Sequence, residues 1–177
     1  RITDEEVLET IGSENKNPES AKRSKSGNIV KGLYDVAVHF SKCCSPVPGD
    51  EIVGFVTRGR GVSIHRTDCV NIINLSDMEK ERLIDAEWQH DGQDGSNGLY
   101  RAEIKIFGNN RTGLLVDITR VFTEREIDID AIHSKTSKQG VATIDVSFST
   151  KGREELGSVI DKLRQIDSVI DIVRTTG

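Results

Sequence analysis

The sequence predicts an α+β fold in two parts, a small strand-rich domain followed by a βαββαβ unit of the ferredoxin-like type. From Leu99 onward, apolar residues alternate along four segments and recur at helical spacing along two others. Between residues 29 and 90, apolar residues fall in short alternating runs separated by turn residues. A polar stretch with three glycines, residues 89–98, separates the two parts and predicts a domain boundary and linker at 91–98.

Composition excludes several classes of protein. The chain has 177 residues, a net charge of −5, 35% apolar residues and 30% charged residues, as expected of a globular protein with a thin core. The negative charge argues against nucleic-acid binding by the whole surface but allows a local basic patch. No apolar run is long enough to span a membrane. Three cysteines without a secretion signal favour reduced thiols in the cytoplasm over a disulfide framework.

The first 28 residues predict one short helix and a polar linker. Thr3 can cap this helix and Gly12 can end it, whereas the following residues offer little to a core. One short helix is unstable alone in water. Since the chain also opens on Arg without Met, we expect this segment to belong to a preceding domain of a longer protein.

The strand-rich part, residues 29–90, predicts strands and one short helix. A helix through Ile73 is expected to be capped by Thr67 or Asp68. The two glycines around Arg60 predict a tight turn, because glycine tolerates positive φ. The predicted strands are residues 36–40, 51–57, 62–65 and 83–88, with the second and third forming a hairpin.

The βαββαβ part, residues 99–177, predicts an antiparallel sheet with two helices on one face. Its helices are expected at 112–125 and 152–166. On the last strand we expect Ile170 and Ile172 to face the helices and Val169 and Val173 to face outward. An outer face left bare in a monomer predicts a weak or ligand-dependent homodimer through this sheet.

Four soft or borderline donors suggest a metal site. His65 and Cys69 lie four residues apart at a strand end and a helix start, which suits tetrahedral zinc, and Cys43 and Cys44 are an adjacent pair. Adjacent ligands can share one ion only with an awkward backbone. In the alternative interpretation, Cys44 and Cys69 are buried small hydrophobic residues and His65 faces a strand surface. His39 is a further candidate, more simply explained as a solvent-facing strand residue.

Two loops are candidate binding sites. Arg58, Arg60 and Arg66 cluster around a glycine-rich turn, where guanidinium groups could approach phosphates, although an ordinary solvated turn is an equal alternative. The loop 108–115 precedes a helix whose N–H groups suit a carboxylate, but a plain strand-to-helix loop with Thr112 near the cap is the better explanation from the sequence alone. The sequence has no phosphate-binding loop, nucleophile elbow or H-E-x-x-H motif, so we expect no catalytic centre.

Residues 36–69 contain two long patterns, C-C-x-P-x-P-G-D-x-I-x-G-F and G-R-G-x-S-x-H-R-x-D-C. This stretch resembles the zinc-finger or ribosome-intersubunit domain of long RelA/SpoT homologues, the stringent-response enzymes that make and degrade (p)ppGpp. Residues 99–177 resemble the ACT (or RRM) domain that ends those proteins, and residues 4–12 resemble the end of their helical domain. The resemblance thus implies a zinc-finger-like domain followed by a ferredoxin-like ACT domain.

The resemblance also implies a function and site residues. The family's cysteines and histidine match Cys43, Cys44, His65 and Cys69, which implies a possible zinc site. Its contact surface for ribosomal RNA falls on the hairpin with Arg58, Arg60 and Arg66. The chain would then be a bacterial regulatory region that anchors a GTP diphosphokinase or (p)ppGpp hydrolase to a ribosome stalled with uncharged tRNA, and would not itself be an enzyme.

A second implied function is amino-acid sensing by the ACT domain. ACT domains can bind amino acids where Gly113 and Leu114 lie, and branched-chain amino acids would then regulate the enzyme allosterically. The candidate residues are Asn110, Gly113 and Leu114. The family's D-x-P-G-x-L loop is replaced here by Asn-Arg-Thr-Gly-Leu at 110–114, so its acidic and proline positions are lost.

Overall fold

The computed structural model describes residues 28–30, 37–88 and 98–175. The predicted helix between Thr3 and Gly12 and nearly all of the two predicted linkers lie outside these residues. Two antiparallel-rich sheets are present in the described part, one in each predicted domain. Within the described ranges, no helix combines the length and apolarity needed to cross a bilayer.

The first sheet contains five strands and is accompanied by two one-turn helices. The strand order is β1-β5-β3-β4-β2, with all neighbours antiparallel except β2 and β4. Apolar side chains of β2 to β5 pack together on one face around Val62 and Ile64. The strands are β1 (Asn28–Val30), β2 (Val38–Phe40), β3 (Ile52–Val56), β4 (Val62–Arg66) and β5 (Leu83–Trp88), and the helices are α1 (Val70–Ile73) and α2 (Asp77–Lys80).

The two short helices differ from the prediction. Cys69, not Thr67 or Asp68, is the N-cap residue of α1, and it makes no side-chain capping bond. Asp68 is unavailable as a cap because its carboxylate accepts hydrogen bonds from Arg66. Helix α2 was not predicted, although Ser76 and Glu79 form a capping box at its start.

The hairpin between β3 and β4 is confirmed, and its turn depends on glycine. The N–H and the hydroxyl of Thr57 both donate to the Gly61 carbonyl, at 2.9 and 2.7 Å. Gly61 has φ +76°, and a Cβ there would lie 2.1 Å from the Ala37 carbonyl oxygen. The turn is therefore closed against the segment that leads into β2.

The second sheet confirms the predicted βαββαβ order. Its strands run β7-β8-β6-β9, all antiparallel. One face is covered by both helices, whose buried stripes are Leu114, Ile118 and Phe122 on the first and Leu156, Val159 and Leu163 on the second. The elements are β6 (Tyr100–Asn109), α3 (Leu114–Glu124), β7 (Ile129–Thr136), β8 (Val141–Thr150), α4 (Arg153–Arg164) and β9 (Val169–Arg174).

The predicted facing of β9 is wrong at its start. Val169 pairs with Gly108 and Asp171 pairs with Phe107, so Ile170 is an extra residue in a β-bulge. Val169 packs on the helix-covered core, whereas Ile170 is 60% exposed. Only Ile172, 4% exposed, faces inward as expected. A bulge shifts the alternation by one residue, which simple period-two counting does not detect.

The outer face of the second sheet is more polar than an apolar dimer interface would be. Lys105 and Asp145 form an ion pair at 3.7 Å across β6 and β8. Arg101 lies 3.9 Å from Glu103 and donates to the Ser147 hydroxyl at 3.4 Å. These contacts hold charged groups in solvent, so the homodimer through this face remains a prediction.

The two domains pack against each other, contrary to the expectation that the linker separates them. The segment Ser45–Asp50, here called the docking segment, leaves the first domain and enters the second. Its Val47 side chain is fully buried and belongs to the core of the second domain. Rings of Phe40, Trp88 and Tyr100 also meet across the boundary, with centroids 5.5–5.7 Å apart. Residues before and after the linker are therefore held together directly.

Candidate metal centre and neighbouring surfaces

Three segments bring the four predicted ligands together at one end of the first sheet. Cys43 and Cys44 lie in the turn after β2, His65 lies on β4 and Cys69 directly precedes α1. The parallel pairing of β2 with β4 sets this turn beside His65, and the Ser41 N–H extends the pairing by donating to the Ile64 carbonyl at 2.9 Å. The fold thus places a pair of thiols against a histidine from a different strand.

The four donor atoms fit a single small ion. All lie within 4.8 Å of one another. The Cys43 sulfur is 3.4 Å from His65 Nδ1 and 3.5 Å from the Cys69 sulfur, and the Cys44 sulfur is 3.8 Å from the same Nδ1. Tetrahedral ligands bound to zinc at about 2.0–2.3 Å lie about 3.3–3.8 Å from each other. A set of three thiols and one imidazole is also the chemistry of structural zinc sites.

The adjacent cysteines share the cluster because the chain turns sharply after them. Ser45 has φ +44°, a left-handed conformation that is uncommon outside glycine. Its N–H donates to the Ser41 carbonyl at 3.0 Å and closes the turn around both cysteines. This is the strained backbone that two consecutive ligands were expected to require.

His65 is oriented by a hydrogen-bond chain. The Ser63 hydroxyl lies 3.1 Å from Nε2 and donates to the Phe55 carbonyl at 3.5 Å. Because its proton is used there, Ser63 Oγ is left to accept from Nε2–H. The lone pair of Nδ1 then faces the sulfurs, which is the tautomer that a metal ligand needs. Ser63 was not identified from sequence, although its position two residues from His65 places both on one strand face.

Protonation differs among the ligands in the absence of a cation. Burial raises the pKa of Cys44 far above its usual range, and burial also raises the pKa of Cys69. Burial opposes ionisation of Cys43 as well, but hydrogen bonds led by the one from Ser41 leave the pKa of Cys43 below its ordinary value. Burial, with the neighbouring His39, lowers the pKa of His65 and keeps the imidazole neutral. Exposed His39 is outside the four-donor cluster.

The structure places the three arginines of the predicted cluster in two different environments, with two exposed and one buried. Arg58 and Arg60 are exposed on the β3–β4 turn, and no described carboxylate lies within salt-bridge distance of either. Arg82 lies at the same end of the sheet, since its carbonyl accepts from the Val56 N–H at 2.9 Å, and its guanidinium lies 5.0 Å from the centre of the Phe55 ring. Three guanidinium groups, those of Arg58, Arg60 and Arg82, therefore lie at this end of the sheet, with Glu79 near Arg82.

The expectation that Arg66 is exposed on the hairpin is wrong. Arg66 is 6% exposed and lies on the opposite face of β4 from His65. Its guanidinium binds Asp68 and donates to the carbonyls of Cys44 and Thr175, each at 3.4 Å. Arg66 therefore joins the cysteine turn to the end of the second domain and does not face solvent.

The predicted amino-acid-binding residues lie where expected in the chain but have different surroundings. Asn110 is exposed, Gly113 is the N-cap of α3, and the Leu114 side chain is 2% exposed in the core, so only its backbone could meet a ligand. Arg111 covers this helix start, donating to Asp117 at 2.6 Å and to the Ser168 hydroxyl at 2.5 Å. An internal ion pair thus lies beside the helix start where a bound carboxylate was expected.

Comparison with known proteins agrees with both halves of the fold. Family models for the RelA/SpoT RIS domain and the ACT domain match residues 28–89 and 96–174. The chain is 35% identical to the GTP pyrophosphokinase of Escherichia coli K12 over 175 residues, which are 98% of this chain and 23% of that protein. It is 40% identical to that of Streptomyces coelicolor over 150 residues, which are 85% of this chain and 17% of that protein.

A solved ACT domain, from the GTP pyrophosphokinase of Chlorobium tepidum, is 27% identical, with a TM-score of 0.40, and the match covers 44% of this chain and 99% of that one. The chain spans less than a quarter of the length of the curated relatives it matches. The matched part is their regulatory region and not a catalytic domain. The chain therefore belongs to the C-terminal region of the RelA/SpoT family of GTP pyrophosphokinases, with a RIS domain followed by an ACT domain.

Proposed function

We propose that this chain docks a (p)ppGpp-metabolising enzyme on the ribosome of a bacterial cell and so controls its catalytic domains. The observation that carries the proposal is the RelA/SpoT RIS domain match at residues 28–89. That match coincides with the cysteine–histidine cluster and with the basic turn of the same sheet. Ribosomal RNA is the partner, and uncharged tRNA is present in the complex of the full-length protein.

The metal part of this proposal assigns zinc to Cys43, Cys44, His65 and Cys69. Zinc would act structurally, by fixing the turn after β2 against β4 and the start of α1. The closed set of four protein ligands leaves no open coordination position of the kind that catalysis needs. Native mass spectrometry of the chain should find one zinc ion, and Cys69→Ser should remove it.

The RNA-binding part assigns phosphate contacts to Arg58 and Arg60. Both guanidinium groups extend from a tight turn with two glycines. Because glycine has no side chain, a phosphate can approach the backbone of this turn closely. Arg82 adds positive charge at the same end of the sheet. Arg66 takes no part, because it is buried and paired with Asp68.

The test is ribosome binding by the whole chain with both exposed arginines reversed. Arg58→Glu/Arg60→Glu should weaken binding at least about tenfold and flatten the slope of log affinity against log salt by about 2, since each lost phosphate contact removes about one unit. The matched control is Lys135→Glu/Lys138→Glu, which makes the same charge change at the exposed β7–β8 hairpin of the ACT domain.

The result that would refute the RNA-binding part is equal affinity for the wild type and the arginine variant. Equal losses in the two double variants would also refute it, because net charge alone would then explain binding. Circular dichroism should be the same for all three proteins, since exposed surface changes usually cost little stability.

A further inference from the structure

The turn that carries Cys43 and Cys44, here called the metal turn, is joined to the ACT domain by one short piece of chain. Cys44 is followed at once by the docking segment, Ser45–Asp50, so no flexible residues separate a predicted ligand from the domain contact. Cys44 is held from both sides, since the Arg66 N–H donates to its sulfur at 3.3 Å and the Arg66 guanidinium donates to its carbonyl at 3.4 Å. The same guanidinium nitrogen reaches the Thr175 carbonyl at 3.4 Å, directly after β9.

The middle of the docking segment is built into the ACT core and its second helix. Val47 is 0% exposed among the apolar side chains of that core. The Arg153 N–H at the start of α4 donates to the Pro48 carbonyl at 2.8 Å, which satisfies a backbone donor that the helix itself leaves free. Gly49 has φ +101°, and a Cβ there would lie 2.9 Å from the Arg153 Cβ. The docking segment is therefore closely packed against the start of α4.

The end of the docking segment is held by a buried ion pair. Both oxygens of Asp50 accept from Arg174 on β9, at 2.7 and 3.0 Å, and one of them also accepts from the Val47 N–H at 2.9 Å. Arg174 donates in addition to the Ser45 carbonyl at 3.2 Å. Side-chain exposures of 5% and 15% place the pair away from solvent. The segment is thereby tied at both its ends to the last strand.

We infer that metal occupancy of the cysteine–histidine cluster controls how firmly the ACT domain is docked, with the Ser45–Asp50 segment as the coupling element. The inference rests on the proposed zinc site. Without a cation, the turn at Cys43 and Cys44 is held to His65 and Cys69 only by contacts of thiols, which are weak donors and acceptors. Zinc-free protein then keeps the hydrogen bonds from Arg66 and Arg174 but loses the anchor that zinc would supply at Cys44, directly before the docking segment.

The first test is hydrogen exchange of the intact chain with zinc bound and after removal of zinc by a chelator. Zinc removal should speed exchange about tenfold in peptides from α4 and β9, which contact the docking segment. Exchange in β7, at the far edge of the ACT sheet, should stay unchanged. Native mass spectrometry of the same samples reports whether zinc is bound.

The second test uses reciprocity, because a coupling between two sites acts equally in both directions. If zinc favours docking, a variant that weakens docking must bind zinc more weakly. Val47→Ala, which keeps all four ligands, should lower zinc affinity several-fold in competition with a chromophoric chelator. Val146→Ala removes the same two methyl groups from a fully buried position on β8 and should leave zinc affinity unchanged.

Each outcome decides a different claim. Failure to bind zinc overturns both the metal assignment and the coupling. Zinc binding with unchanged exchange in α4 and β9 overturns the coupling alone and leaves the proposed function standing. Faster exchange throughout the ACT domain, β7 included, also overturns the coupling, because that pattern reports general unfolding. Equal zinc affinities for Val47→Ala and Val146→Ala would overturn the coupling as well.

Discussion

At the scale of single residues, Asp50 makes an unusually large number of the polar contacts between the two domains and around the docking segment. Its two carboxylate oxygens accept three hydrogen bonds, two from Arg174 and one from the Val47 N–H. Its backbone carbonyl accepts a fourth from the Trp88 indole at 2.9 Å. A bidentate arginine–carboxylate pair is among the stronger polar contacts in proteins, and removal of one partner leaves the other buried without a counter-charge.

Replacement of Asp50 by asparagine should therefore be costly. Asp50→Asn keeps the shape of the side chain but leaves Arg174 uncompensated, so we expect a loss of about 3–5 kcal/mol in the free energy of unfolding. Urea denaturation measures it. Asp145→Asn is the control, since its partner Lys105 lies 3.7 Å away in a half-exposed pair whose loss should cost less than about 1 kcal/mol. Similar losses for the two variants would contradict the role given to Asp50.

The protonation of the cysteines predicts how zinc affinity depends on pH. Cys44 and Cys69 have raised pKa values because they are buried, so both thiols are protonated at neutral pH and must lose their protons to bind metal. Zinc binding at pH 7 should release at least about two protons, one from each of these thiols, and affinity should fall as pH falls. Calorimetry in buffers of different ionisation enthalpy counts the protons. Binding without proton release would show that both thiols are already ionised.

At the scale of elements, the β3–β4 hairpin shows two glycines with the same φ but different surroundings. Gly59 and Gly61 have φ +80° and +76°. A Cβ on Gly59 would meet nothing within 4 Å, whereas one on Gly61 would lie 2.1 Å from the Ala37 carbonyl oxygen. Both positions demand a left-handed backbone, but only Gly61 also lies in close contact with a neighbouring segment.

This difference predicts unequal effects of alanine at the two positions. Gly59→Ala should cost about 1 kcal/mol of unfolding free energy through backbone strain alone. Gly61→Ala should cost at least about 2 kcal/mol more, because the carbonyl of Ala37 must move. Thermal denaturation of both variants provides the comparison. Equal melting temperatures would mean that the segment before β2 moves aside without resistance.

At the scale of the whole molecule, the docking segment makes two small domains into one cooperative unit. Each domain buries a limited core on its own. The shared core at Val47, the Asp50–Arg174 ion pair and the three aromatic rings join them without use of the linker. Zinc bound in the first domain would then favour the docked arrangement of the two domains, because a ligand that binds one state better than another shifts the equilibrium toward it.

Calorimetry should accordingly detect one unfolding transition for the zinc-bound chain, with calorimetric and van't Hoff enthalpies nearly equal. Val47→Asp should split it in two, because a carboxylate in the ACT core opposes docking more strongly than it perturbs either fold. The surface variant Lys138→Glu should keep a single transition. Two separate transitions in the wild type would mean that the domains unfold independently despite their contact.

The sequence by itself determined the local structure and the chemistry of the candidate centre. Alternating and helical apolar patterns are local signals, so the βαββαβ order, the β3–β4 hairpin and the helix stripes followed from them. The donor types of Cys43, Cys44, His65 and Cys69 suggested a shared site, although buried apolar cysteines were an alternative that the sequence left open. The glycines of the turn were identified for the same local reason.

Only the tertiary structure decided which polar and apolar residues face another domain. Val47 stands alone between two prolines in a turn, and a single apolar residue has no periodicity to indicate burial. Arg66 is buried and donates to the carbonyl of Thr175, more than a hundred residues later in the chain. The bulge at Ile170 likewise depends on pairing with β6. Contacts between distant segments leave no local pattern, so the coupling of the metal turn to the ACT domain emerges only once the chain is folded.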